Sequence, residues 1–324
     1  MDNFLRTSYR HGRSPLTPDS LNEPLQVCFF GTPNAKSLSP VLVPIIFQSV
    51  PSQWKFSPVD TDLTADFIHK RGQPDFLGSS ITMPNKLSYK PLLDELTEEA
   101  RVIGAVNTTF VRLDHSDGRH KHIGTNTDCV GIRDVLVQHV EGITESAHNI
   151  PAIVVGAGGA ARSAVYALWR WMKPSEIYIA NRLQAEAEEL ISSSRENMLG
   201  IQLRYIGSVE AAEKLPTPYL MVGTIPDYPA TESGEIECLK VYNHFLARQK
   251  KGVLLDMCYI PSVSTKLLVS GREQKWKVIS GMDVVVRIVA AQALLWLERE
   301  PPEVGIKKIL DIVFEQGFKE SLSY

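Results

Sequence analysis

The segment AIVVGAGGAARSA (152–164) constrains this chain more than any other. Ala152 to Val155 read as a buried strand, a glycine turn follows at once, and a helix-forming run spans 160–172. Gly156, Gly158 and Ala161 stand at the small-residue positions of a G-x-G-x-x-G/A turn. The first permits a sharp change of direction, the second lets a phosphate approach the backbone, and the third lets the helix lie close to the sheet. Free N–H groups along Gly156, Ala157, Gly158, Gly159, Ala160 and Ala161, with the positive end of the helix, then suit a dinucleotide's diphosphate. Further strands are expected at 176–180 and near 202–206, 219–222 and 253–257, with a helix over 183–194. Alternation of this kind implies a doubly wound, Rossmann-type nucleotide-binding domain, placed at 129–283.

The end of its second strand chooses between the two nicotinamide cofactors. An acid there would accept a bond from a ribose 2′-hydroxyl and repel a 2′-phosphate. The strand ends instead in Ala180-Asn181-Arg182-Leu183. A guanidinium pairs with a 2′-phosphate, so Asn181 and Arg182 favour NADP. Glu186 is near enough to turn back to a ribose, which leaves NAD open.

Ahead of this domain lies a second alternating region. Strands are expected at 25–30, 54–60 and 78–82, helices at 39–50, 64–71 and 91–103, and a hairpin pairs 106–113 with the stretch around Ile123. The fold class is therefore α/β, with an N-terminal α/β substrate domain over 25–128 rejoined by 284–324. Asp128 to Gln138 reads as a linking helix, 284–299 as one long apolar helix, and 305–316 as a short amphipathic one. Residues 1–24 are polar and Pro-containing and read as a loose arm. They lack the apolar core of a secretory leader; three Arg allow a mitochondrial one, but Asp2, Asp19 and Glu23 oppose it, so the expected location is the cytoplasm.

Composition narrows the class further. The 324 residues are 44% hydrophobic and 22% charged, with a net charge of -3 that favours neither nucleic acid nor a membrane surface. No apolar run is long enough to span a bilayer. The four cysteines form no CxxC pair, and His115, His120 and His122 stand among turn-forming residues, so no metal site is expected.

Polar groups gather where the first strands end. Ser37 and Ser39 precede a helix, where two hydroxyls and a helix N-terminus suit a carboxylate. Thr82 and Lys86 follow the third strand, Asn107 lies in GAVNTT, and Asp128 closes GTNTD. Taken singly, each fits capping, a turn or a solvated surface. Together, GTPNAKSLSP (31–40), GSSITMPNK (78–86), GAVNT (104–108), GTNTDCVG (124–131), VVGAGGAAR (154–162) and DMCY (256–259) run in the order found in the shikimate/quinate dehydrogenase family, which the chain resembles from about Val27 to Trp296, with a lean toward its fungal members. The resemblance implies an NAD(P)-dependent oxidoreductase acting on a ring hydroxyl of a small carboxylated cyclic polyol. It implies Lys86 and Asp128 as the catalytic pair, Asn107 as a binder of substrate hydroxyls, and Ser37, Ser39, Thr82 and Tyr259 as carboxylate-side contacts. It implies, too, a substrate cleft between the domains and closure about a hinge. Oxidising a secondary alcohol needs a base for the hydroxyl proton, which a lysine beside an aspartate supplies.

The resemblance breaks at several points. Lys36 stands where the family usually has His, Val43-Pro44 where it has His-Asn or His-Gln, and VGTIPDYPA (222–230) replaces the usual stretch near the nicotinamide. Lys36 either strengthens anion binding beside the serines or faces water. A Gln that meets substrate hydroxyls is replaced by Ile288, and Gln292 matches a later Gln. A hydroxyl left unpaired at Ile288 would cost about 1–3 kcal/mol. These departures raise a second reading, a non-catalytic metabolite sensor that keeps the fold. Oligomeric state is not legible.

Overall fold

The computed structural model describes residues 2–33 and 37–321. They form two compact units, Met1–Thr127 with Val285–Phe314, and Asp128–Val284 with Glu315–Tyr324. The first begins with α1 (Asp2–Ser8), β1 (Gln26–Gly31), α2 (Ser39–Gln48), β2 (Lys55–Asp60), α3 (Thr64–Arg71) and β3 (Phe76–Ile81). It continues with β4 (Glu95–Leu96), α4 (Glu98–Ile103), β5 (Thr108–Leu113) and β6 (His120–Thr125). Its sheet has the order β2-β1-β3-β5-β6-β4. β1 is parallel to β2 and β3, whereas β5 is antiparallel to β3 and β6.

Val27, Cys28, Phe29 and Phe30 are apolar in succession because β1 is covered on both faces. On one face Phe30 meets Phe67 edge-on at 5.3 Å, and Phe67 stacks on Tyr89 at 4.6 Å. On the other, residues 285–297 of the last long apolar helix pack across the strands. There Trp296 donates its indole N–H to the Thr109 carbonyl at 2.9 Å.

Two expectations for this unit are corrected. Within the segment expected to be a loose arm, residues 8–24 are tied to the sheet and its neighbours. Arg13 and Leu113 exchange both backbone hydrogen bonds at 2.8 and 2.9 Å, and Trp54 donates to the Ser20 carbonyl at 2.7 Å. The buried Arg112 guanidinium explains part of this order: it needs partners, and finds Ser8 Oγ at 2.7 Å and Glu298 at 2.8 Å. The helix expected over 91–103 is interrupted. Glu95 and Leu96 pair with Ile123 and Gly124, and α4 starts only after the Thr97 hydroxyl caps it. Sheet pairing outweighs helix propensity at that edge.

The second unit contains α5 (Asp128–His139), α6 (Ile143–Ala147), β7 (Ala152–Val155), α7 (Gly159–Ala167), β8 (Ile177–Ala180), α8 (Gln184–Asn197) and β9 (Leu203–Tyr205). α9 (Val209–Glu213), β10 (Leu220–Gly223), α10 (Ser233–Ala247), β11 (Val253–Asp256), α11 (Lys266–Glu273) and β12 (Lys277–Ser280) complete it. α12 (Gly281–Leu297) returns the chain to the first unit, and α13 (Glu303–Ser321) follows. All sheet pairings are parallel, in the order β9-β8-β7-β10-β11-β12. Strand order reverses between β7 and β10, the doubly wound Rossmann-type arrangement. Ile153, Val155, Tyr178, Met221 and Leu254 join Val241 and Phe245 of α10 in its core.

The four cysteines are free; Cys28, Cys129 and Cys238 are buried and Cys258 partly so. Among the described residues no helix is long and apolar enough to cross a membrane.

Candidate active site

In the first unit the candidate residues converge where β1 and β3 end. Gly31 holds φ at 154°, and a Cβ there would collide with Thr82, so the chain leaving β1 lies directly against the chain leaving β3. Thr32 N–H donates to the Met83 carbonyl at 3.1 Å, and Thr82 N–H to the Phe30 carbonyl at 2.8 Å. Ser39 is buried at the start of α2 and donates its N–H to Ser37 Oγ at 3.3 Å. The structure therefore brings Ser37 and Ser39 together, with Thr82 at the end of the adjoining strand. Lys36 lies outside the described residues.

Lys86 is half-buried on a turn anchored from both sides. Its carbonyl accepts the Val106 N–H at 2.8 Å. The neighbouring Asn85 is buried and donates Nδ2–H to the Thr61 carbonyl at 2.8 Å and to Tyr89 Oη at 3.0 Å. Asn107 sits opposite Ile81, which donates its N–H to the Asn107 carbonyl at 2.7 Å. Asn107 Oδ1 accepts from Thr127 N–H at 2.7 Å and from the Thr108 hydroxyl at 2.8 Å, and its Nδ2 donates to Thr127 Oγ1 at 2.9 Å. Thr127 immediately precedes Asp128, the buried first residue of α5. Lys86 belongs to the first unit and Asp128 opens the second.

Sequence reasoning did not give Gln292 this part: it is fully buried on α12, and its Nε2 donates to Ser80 Oγ and Thr108 Oγ1, each at 3.0 Å. It thereby orders the hydroxyl beside Asn107. The available signal was a single amide in the apolar run VVVRIVAAQALLW (284–296). Ile288, one turn earlier, is half-buried.

In the second unit the glycine turn occupies the point where strand order reverses. Gly156 has φ 118°, and a Cβ there would collide with the Thr224 hydroxyl, which donates to the Val155 carbonyl at 2.8 Å. The altered 222–230 stretch thus abuts the turn at Thr224. Gly158 is exposed and a Cβ on it would meet nothing within 4 Å. Gly159 and Ala160 open α7, whose N-terminus has no side-chain cap, while Ala157 and Ala161 are buried. Open space above Gly158 and uncapped N–H groups fit a diphosphate.

Asn181 and Arg182 follow β8. Asn181 Nδ2 donates to Glu186 Oε2 at 2.8 Å, and Arg182 Nη1 donates to Glu235 Oε1 at 3.1 Å. Tyr259 is half-buried in the loop after β11. Asp256 fastens both arms of that loop: it accepts the Cys258 N–H at 3.1 Å and the Thr265 hydroxyl at 2.6 Å. Burial of Asp256 pushes its carboxyl up to about 7, against these two bonds, with Asp227 adding to the rise.

Residues 29–109 match the model of the shikimate dehydrogenase substrate binding domain. Over 309 residues the chain is 34% identical to the quinate dehydrogenase of Emericella nidulans, covering 90% of each protein. The chain belongs to the shikimate/quinate dehydrogenase family. Among solved structures, this dehydrogenase is 28% identical to the dehydroquinate dehydratase and shikimate dehydrogenase from S. pombe, with a TM-score of 0.69 over 89% of this chain and 53% of that one. The Thermus thermophilus shikimate 5-dehydrogenase, solved with NADP(H) and shikimate, shares the fold at a TM-score of 0.67 and 24% identity, over 89% of this chain and 99% of that one. In this dehydrogenase Gln292 is committed to the sheet beneath Asn107.

Proposed function

We propose that this protein interconverts shikimate or quinate and the 3-dehydro acid by hydride transfer, with NADP as its preferred cofactor. The observation that carries the reading is the convergence of Thr82, Lys86 and Asn107 on the sheet edge where β1 and β3 end and β5 begins, within a chain 34% identical to a quinate dehydrogenase. Ser37, Ser39 and Thr82 receive the carboxylate of the acid, and Tyr259 is a further carboxylate contact. Asn107, locked by Thr127 and Thr108, presents its amide to a ring hydroxyl. Lys86 takes the proton of the reacting hydroxyl, and Asp128 is the second acid–base group of the reaction. The nicotinamide, when bound, accepts the hydride. The turn from Gly156 to Ala161 holds the diphosphate, and Asn181 and Arg182 lie where a 2′-phosphate would be met.

The test is a spectrophotometric panel of NADP⁺ and NAD⁺ against shikimate, quinate and related cyclic acids. Turnover lowered at least about a hundredfold by Lys86→Ala and by Asp128→Ala is expected. No turnover with any acid would defeat the proposal. Ile288 motivates the second reading, a metabolite sensor without catalysis. It predicts a thermal shift with these acids and no cofactor reduction.

A further inference from the structure

The tip of β8 carries more negative charge than a site built only for a 2′-phosphate needs. Three charged side chains belong to the residues at or beside this tip, two of them paired with each other. Arg182 is 45% exposed and already bound to Glu235, which is 27% exposed and 3.1 Å away. Glu235 is not a loose surface acid. Its Oε2 accepts the backbone N–H groups of Thr231 and Glu232 at 3.0 and 3.2 Å, completing the capping box of α10. Those two bonds, and then Arg182, hold its carboxyl below the ordinary range, so it is ionised at neutral pH. Arg182 is fixed from the other side as well: a Cβ at Gly234 would strike its carbonyl, so the first turn of α10 and the Arg182 backbone are in close packing. The third side chain is Glu186, whose Oε2 is oriented by the Asn181 amide at 2.8 Å.

We infer that Glu235 and Glu186 are specificity-determining residues that keep NAD competitive with NADP. The inference rests on the reading above, in which Arg182 meets the 2′-phosphate. One guanidinium and two carboxylates sum to one negative charge. A dianionic phosphate reaching Arg182 must share it with a carboxylate that the start of α10 holds in place, and it approaches Glu186 as it does so. A ribose 2′-hydroxyl meets no such opposition and can donate to Glu186. The Arg182–Glu235 pair thus lowers the affinity for NADP without touching NAD.

The experiment is direct binding of NADP⁺ and NAD⁺ to the purified protein by titration calorimetry, in wild type and in Glu235→Gln, Glu186→Gln and Arg182→Ala, with thermal unfolding of each. Glu235→Gln keeps an oxygen for the cap of α10. It is expected to tighten NADP⁺ about fivefold, the scale of one partly exposed pair, and to leave NAD⁺ within about twofold. Glu186→Gln is expected to weaken NAD⁺ relative to NADP⁺. The gain in Glu235→Gln should shrink as salt rises. If neither glutamate variant changes the ratio of the two affinities while Arg182→Ala weakens NADP⁺, the inference fails and the reading of Arg182 stands. If Arg182→Ala leaves NADP⁺ binding unchanged, both fail. Each glutamate variant reports separately, so a folding failure in one leaves the other decisive.

Discussion

The two units build their candidate functional ends from different material. Beneath Asn107 the first unit buries side-chain polarity: Ser79 bonded to Thr109 at 2.7 Å, and Gln292 bonded to Ser80 and Thr108. Beneath the glycine turn the second unit buries aliphatic strands, with Ile153, Val154 and Val155 beside Leu220, Met221 and Val222. One end presents side chains and needs other side chains to hold them still. The other presents backbone N–H groups, and the sheet and α7 already hold those. The first should therefore be vulnerable to loss of a hydrogen-bond partner, and the second to added volume.

The largest effect should be chemical. Lys86→Ala and Asp128→Ala should each lower turnover by about 10²–10⁴-fold, the usual weight of a positioned acid–base group, with little change in melting temperature. Equal loss of activity and stability would mean that these residues serve the fold. Next, Gln292→Leu should cost about 1–3 kcal/mol in denaturant unfolding by stripping partners from Ser80 and Thr108, and should raise the KM for the acid. Ile153→Val, at similar depth in the other sheet, should cost about 0.5–1.5 kcal/mol and leave both substrates' KM values alone. If both variants cost the same and neither moves KM, the comparison collapses.

Gly158→Ala sharpens it from the other side. A methyl group there meets no protein atom, so melting should be unchanged, while NADP⁺ binding measured by titration should weaken by about tenfold as the diphosphate is pushed outward. A pH dependence follows from Asp256, the buried acid of the aliphatic unit. Its folded value of about 7 lies above its ordinary 3.8. The folded form therefore keeps a proton that the unfolded form releases. That contribution is complete below about 4 and is lost as pH climbs through 7. Urea midpoints measured from pH 4 to 8 should fall for the wild type and flatten for Asp256→Asn.

Local signals carry most of the fold. The apolar run before Gly156, the uninterrupted VCFF of β1 and the alternation after Ala152 each reflect burial that neighbouring residues share, so a short window contains it. The residues missed are those whose role lies across the chain. Glu235 meets Arg182 from 53 positions away, and Gln292 meets Ser80 from 212. The order of residues 8–24 depends in part on the buried charge of Arg112, which no reading of that segment contains. α10 is missed as well, since its capping box, Glu232 with Glu235, directly follows a stretch that stands out only as a departure from a motif. Motif order locates the candidate residues, while the partners that hold them emerge only from the folded chain.

The second unit is inserted between Thr127 and Val285 of the first. A ribosome therefore finishes the nucleotide-binding sheet before it releases Gln292 and Trp296, which the earlier-made sheet needs beneath Asn107 and over Gly78. The half that is begun first matures last, and until its closing helix emerges it offers bare strands to whatever chaperone waits at the tunnel exit.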